Sequence, residues 1–410
     1  MKRVLLTLAV VAALALFALP AFAENNDNGV TVGVGTLRIG GLIQSGLTYW
    51  VGQETLDTEA YQAVDRSSDF YFWLARARMI MAGEVLDEHV SYFAQFEFAH
   101  DASVGIGEIL KDAKIGFHYI PYTGIYVGRI LPNFTGFAPR SASQLLFINY
   151  PLMNQYMFDT TRQTGLDFGV KTTYLDANLG VFNGRSYNTI MVADGATTPV
   201  GNAGWGDQNN GKDIYINLVG KPPVEGLKIF AGFWYGTPLD YQEVSDGEIT
   251  EHNLTAYMID AGVLYAAPFG LTAGGEFLMG QYNWNKTIKS DAGDTDRADD
   301  TYELSAMSYY VFAGFNFGPL FEVPVELLVR YDVFDPDTLN DEEKHAWSEQ
   351  DQLSDITVAI NYYIKSYHAM LGLNYIHHSE AWEDVANLAG DDTQTGISND
   401  EIKLQAQVAF

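Results

Sequence analysis

Five basic residues in the first third of the chain share one spacing logic. Arg38, Arg76, Arg78, Lys114 and Arg129 each fall on the polar side of a stretch in which apolar and polar residues alternate. Fixed cations repeated along one face of a wall attract anions and steer them along it. Arg140, in a long connection between two such stretches, is the sixth candidate of this kind. Glu97 and Asp112 are the acids on the same phase in that region, and Glu276, Glu326, Asp332 and Glu401 are offered by later stretches. Two readings of the cations stay open: a stripe that draws anions in, or arginines that each pair with a carboxylate and brace the wall. Other chemistry has little to work with. The eight His are scattered, and His377-His378 put their rings on opposite faces of a strand, so no spacing picks out a nucleophile and base. No catalytic residue, no cofactor and no metal site is expected. Asp291 to Asp300 lacks the spacing and central Gly of a calcium loop.

The elements that hold these cations are strands. Ile402, Leu404, Ala406, Val408 and Phe410 alternate with Glu401, Lys403, Gln405, Gln407 and Ala409, a period of two. The same period runs through Leu37–Tyr49, Val90–Phe98, Ile109–Phe117 (with Lys111 out of phase), Val325–Tyr331 and Ile356–Tyr362. A soluble sandwich would meet such faces across a dry core, whereas a transmembrane barrel turns the apolar set to lipid and the polar set to a wet lumen. Three features select the barrel. Met1-Lys2-Arg3, the uncharged run Val4–Leu19 and the small-x-small Ala21-Phe22-Ala23 form a secretory signal peptide, residues 1–23, cleaved after Ala23. Phe410 ends an amphipathic strand with an aromatic residue, which resembles the signal by which outer-membrane barrels are recognised for assembly. The 25 Tyr, 24 Phe and 39 Gly suit strands, interfacial belts and turns better than helices. After the signal, Leu304–Phe321 approaches helix-spanning length without a charge, and Gly318-Pro319 and its aromatics make it a strand running into a turn.

Short links, such as Gly83–His89, Tyr119–Gly124 and Pro268–Gly270, alternate with long ones: 52–68, 132–161, 185–211, 237–254, 283–302, 336–353 and 379–400. That is the rhythm of an up-and-down barrel with short periplasmic turns and long outer loops, and it gives about sixteen strands. The expected fold is an all-β transmembrane antiparallel β-barrel over residues 37–410, preceded by a short periplasmic lead-in, 24–36. The link 132–161 carries Leu145-Leu146-Phe147-Ile148 and Tyr156-Met157-Phe158, more apolar surface than a solvated loop needs. An inward-folded third loop that narrows the pore is expected from it.

Charge excludes one partner class. Removal of Lys2 and Arg3 with the signal takes the formal charge from −29 to −31, which repels nucleic acid. The absence of Cys means that no disulfide framework is used. The acidic links 237–254 and 379–400 are read as a solvated outer surface, with divalent-cation bridging to lipopolysaccharide as the alternative.

Residues 70–185 resemble the phosphate-selective porin O and P family. The resemblance is carried by Phe72-x-x-x-Arg76-x-Arg78 with Gly83, Val127-Gly128-Arg129 followed by Pro132, Arg162-x-x-Gly165-Leu166, and Gly180-Val181-Phe182-Asn183-Gly184. It implies a sixteen-stranded, usually trimeric porin with an inward third loop. Phosphate specificity is not carried over, because the family's phosphate-specific members are rich in pore Lys and Arg and this chain is acidic. The expectation is an outer-membrane porin, a passive diffusion channel for small hydrophilic solutes or ions with weak anion preference. It would be a non-enzymatic homotrimer embedded among outer-membrane lipid and lipopolysaccharide. The rival is a closed barrel acting as scaffold or adhesin.

Overall fold

The computed structural model describes residues 29–32, 35–51, 54–57, 62–65, 70–86, 88–99, 109–136, 141–158, 162–184, 189–191, 197–199, 211–236, 239–245, 248–253, 256–281, 305–335, 338, 352–380 and 399–410. The segment read as a signal peptide lies outside them, as do Arg140 and most of the outer links.

Sixteen strands form the wall: β1 (Gly35–Trp50), β2 (Phe70–Val85), β3 (Val90–Glu97), β4 (Leu110–Phe117), β5 (Thr123–Ile130), β6 (Gln163–Lys171), β7 (Leu175–Phe182) and β8 (Asp213–Gly220). The second half is β9 (Leu227–Gly236), β10 (Ala256–Ala266), β11 (Leu271–Gln281), β12 (Ser305–Asn316), β13 (Val325–Asp335), β14 (Leu353–Lys365), β15 (Ala369–Glu380) and β16 (Glu401–Ala409). Each is antiparallel to the next, and β16 pairs with β1 from Ala409↔Leu42 to Glu401↔Trp50, so the sheet closes. Closure satisfies every edge, the condition for crossing a bilayer with strands. A short strand, Gly29–Val32, pairs with the start of β1. Residues 305–321 are β12 followed by a one-turn helix, Gly318–Phe321, as the Gly-Pro break implies. An eighth long connection, 98–109, which the alternation did not single out, separates β3 from β4.

The faces follow the period. Ile43, Val329 and Val358 point outward and are 46–49% exposed, while Gln44, Thr48, Asn217, Asp332 and Asn374 point inward and are at most 2% exposed. Apolar outside and polar inside is the membrane-barrel polarity. The short turns need left-handed residues: Gly226 (φ 79°) and Gly270 (φ 107°) turn so tightly that a Cβ would lie 1.9 and 2.1 Å from the carbonyl oxygens of Ala266 and Asn316.

Two bulges set the phase of the candidate residues. In β2, Gln44 faces Arg76 but Ser45 faces Leu74, so Ala75 is extra. Strict alternation would put Phe72, Leu74, Arg76 and Arg78 on one face. The bulge sends Phe72 and Leu74 outward and Arg76 and Arg78 inward. In β4, Gln95 faces Asp112 and Phe96 faces Leu110, so Lys111 is the extra residue. That is why it falls out of phase in the sequence.

Candidate functional site

The inner wall from β1 to β6 gathers the predicted cations, and they have different partners. Arg76 donates to Gln44 Oε1 at 2.6 Å, and its guanidinium lies 5.5 Å from the centre of the Tyr150 ring. No carboxylate pairs with it among the described residues. Arg78 does pair with one: Nε lies 2.6 Å from Glu97 Oε2. The Arg129 Nε donates to the carbonyl of Lys111 at 3.1 Å. Lys114 has no ion pair among the described residues; its ammonium sits 5.3 Å from the centre of Phe93 and 5.2 Å from that of Tyr126. Arg38 is exposed near the start of β1. Arg140 lies outside the described residues. The bracing reading therefore describes Arg78, while Arg76 and Lys114 lean on amide and aromatic groups.

Among the described residues, the later carboxylates do not pair with these cations. Glu276 accepts from Gly136 N and from the Tyr310 hydroxyl, both at 2.7 Å. Glu326 accepts from the Tyr363 hydroxyl. Asp332 pairs with Arg330 on its own strand at 2.5 Å, and Glu401 with Lys403 at 2.5 Å. Each acid is met by its immediate neighbours.

Arg162 belongs to the cationic wall and was missed as a wall residue. It precedes β6 by one residue, and its Nη2 lies 3.1 Å from Asp112. Its signal was present in Arg162-x-x-Gly165-Leu166, where the arginine sits at the foot of a strand. Lys171, the last residue of β6, was missed as well.

The third connection, between β5 and β6, touches inward-facing side chains around much of the wall. Asn133 N donates to the Tyr215 hydroxyl at 3.1 Å. Further along, Gln44 donates to Ala142 O at 3.0 Å, Gln407 to Ser143 O at 2.9 Å and Asn361 to Leu146 O at 2.9 Å. Arg330 donates to Asn149 O at 3.0 Å and stacks over Phe147 at 4.5 Å, while Lys403 Nζ reaches Asn149 Oδ1 at 3.2 Å. The apolar pieces of the connection join a buried cluster with β8 to β14. Phe134 packs 4.9 Å from Phe158 and 5.5 Å from Trp234, and Tyr156 stacks on Phe334 at 4.9 Å. This explains why the connection is apolar: it has a dry surface to cover.

Opposite that cluster lies a cavity of about 920 Å³. Arg78, Lys114, Arg162 and Lys171 line it, with Asp112 and Asp167 as its carboxylates. Ser91 Oγ lies 2.8 Å from His118 Nε2 on the same wall, but no acid orients that ring among the described residues. His377 and His378 do point to opposite faces, the first to Asp400 at 2.9 Å and the second to Asp355 at 2.7 Å. No group of three or more His, Cys, Asp or Glu that could hold a metal ion occurs among the described residues.

A closed sixteen-strand wall with an apolar outer face and a charged inner cavity defines a transmembrane β-barrel of the outer-membrane porin type. The family model described as phosphate-selective porin O and P matches residues 43–220, so the first half of the barrel carries that family's sequence pattern. No curated protein matches the chain in sequence. Among solved structures, the outer membrane channel DcaP of Acinetobacter baumannii is similar, with a TM-score of 0.61, 10% identity, and coverage of 92% of this chain and 97% of that one. OmpT of Vibrio cholerae in its trimer form gives 0.57 and 9%, covering 92% of this chain and all of that one. The anion-selective porin from Comamonas acidovorans gives 0.54 and 12%, over 92% of this chain and all of that one. At these identities the likeness is one of fold.

Proposed function

We propose that the protein is a passive diffusion channel of the outer membrane for small hydrophilic solutes or ions, with weak anion preference. The observation that carries this is the cavity beside β2 to β6, where four Lys or Arg side chains meet two carboxylates. Glu97 and Asp112 cancel Arg78 and Arg162, which leaves Lys114 and Lys171 against Asp167, a small positive excess. Low-dielectric walls focus the field of those few charges. A charge held in solvent is felt over only about 8 Å at physiological salt, so acids remote from the cavity weigh little there. The third connection supports the same reading, because its contacts with β1, β13, β14 and β16 fit a segment that narrows the lumen and leaves one side open. Residues 1–23 act as the export signal and 24–36 as a lead-in. The working unit is a homotrimer set in lipid and lipopolysaccharide, in keeping with the trimer form of the Vibrio cholerae relative.

Reconstitution in a planar bilayer tests the channel. Stepwise conductance from folded protein is expected, and its absence favours the rival closed barrel. Reversal potentials in a KCl gradient test the preference. A cation preference that Lys114→Glu and Arg129→Glu leave unchanged overturns the cationic constriction. Mass measurement in mild detergent tests the trimer, and a strict monomer overturns it.

A further inference from the structure

We infer that the cavity selects organic anions with an aromatic or apolar body over inorganic anions of the same charge; this rests on the channel reading above. The inference comes from how Lys114 is held. Phe93 is its cross-strand partner on β3, and Gly128, its partner on β5, carries no side chain. Tyr126, two residues earlier on β5, supplies the second ring. Its ring lies across Gly116 and Gly124, where a Cβ would meet ring atoms at 2.7 and 2.8 Å. The ammonium therefore stands at the faces of two rings. Asp167, opposite Tyr126 on β6, feels the Lys114 charge but forms no ion pair with it among the described residues: that carboxylate accepts from Asn178 at 3.1 Å and from the Tyr215 hydroxyl at 2.9 Å. Ile80 and Ile130 continue the apolar lining.

An anion that reaches Lys114 is thus pressed against two rings. A hydrated inorganic anion gains the charge contact but sheds water against apolar surface without compensation. An arylcarboxylate gains the same charge contact and buries its ring against Phe93 and Tyr126. The cavity is of the size that accommodates small organic ligands.

The experiment uses three probes, benzoate, acetate and inorganic phosphate, on the folded full chain. Block of KCl conductance is read in bilayers, and equilibrium binding is read by calorimetry in detergent. Benzoate is expected to bind about tenfold more tightly than acetate, and Lys114→Gln to remove most of that affinity. Phe93→Leu with Tyr126→Leu is expected to bring benzoate down to the level of acetate. Benzoate no better than acetate, phosphate equal to benzoate, or benzoate affinity unmoved by Lys114→Gln each overturns the inference. A protein that binds benzoate yet shows no conductance overturns the channel reading and leaves this one standing.

Discussion

The inner wall from β2 to β6 and the inner wall from β8 to β14 are built on one alternating pattern and enclose different media. On the first, Arg78, Lys114, Arg162 and Lys171 stand around an open cavity. On the second, Tyr215, Trp234, Met258, Leu278, Tyr310 and Phe334 are buried under the third connection. Charge is handled accordingly. The dry side carries Glu276 and Asp332, tied to Tyr310 on the next strand and to Arg330 on the same strand. The wet side keeps cations that only aromatic or amide groups attend. A net charge of −29 thus says little about what a passing ion meets, since selectivity depends on which charges are left unmatched along its path.

The most severe way to break this contrast is to remove the cover. Replacing residues 142–157 with a short Gly-Ser linker turns the dry wall into open lumen. Single-channel conductance is expected to rise at least about twofold, since a barrel of this width is not filled by its own wall residues. An unchanged conductance would mean that the connection does not narrow the pore. Next in size, Trp234→Ala removes a side chain that is 1% exposed and packed against Phe134, Phe158 and Tyr215. Loss of about 3–5 kcal/mol in a denaturant titration is expected, whereas Tyr126→Leu on the wet wall should cost about 1 kcal/mol. Arg330→Met leaves Asp332 buried without its cation and releases Asn149. A cost of about 3 kcal/mol is expected, together with noisier open-channel current as residues 149–150 lose their anchor.

Lys114→Glu sharpens the contrast without unfolding anything. The reversal potential in a KCl gradient should move toward cations, while Glu276→Gln on the dry wall should leave it in place. The smallest effect belongs to the outer rim. Asp400, just before β16, accepts from the Tyr375 hydroxyl at 2.5 Å and faces His377 at 2.9 Å. Partial burial alone would raise its pKa, but these hydrogen bonds and the histidine together hold it below the ordinary 3.8. Because the folded value is the lower one, the stabilisation is complete above 3.8 and fades as pH falls through the folded value. The amide protection factors of residues 399–401, corrected for the intrinsic exchange rate at each pH, should therefore fall below about pH 4.

Much of the wall was legible because a lipid-facing strand must alternate. β13, β14 and β16 read directly, since every second residue from Val325 to Tyr331 and from Ile402 to Phe410 is apolar and faces outward. The candidate cations were found by the same rule, although at Arg76 and Arg78 the rule holds only through the bulge at Ala75. The partners were not legible. That Arg78 meets Glu97 while Lys114 meets two rings depends on register across three strands, and period-two reasoning carries no register. The target of the third connection was equally hidden. Its apolar pieces announced that something would be covered, but only closure of the barrel brings Phe134, Phe158 and Trp234 together.

The seam of the barrel has a consequence for how the protein must be made. β1 is joined to the last residues of the chain: Phe410 and Gly41 exchange backbone hydrogen bonds at 2.8 and 3.0 Å, and the Phe410 ring lies over Gly41. Hairpin pairing between successive strands needs only local contacts, but this seam joins residues more than 350 positions apart and carries the entropy of closing the whole chain into a ring. Until the nine residues of β16 dock, both β1 and β15 present unpaired edges, each a template for aggregation. Assembly therefore ends in a single all-or-none step, and a chain that lacks Glu401–Ala409 is expected to remain open-edged however well its other fifteen strands have paired.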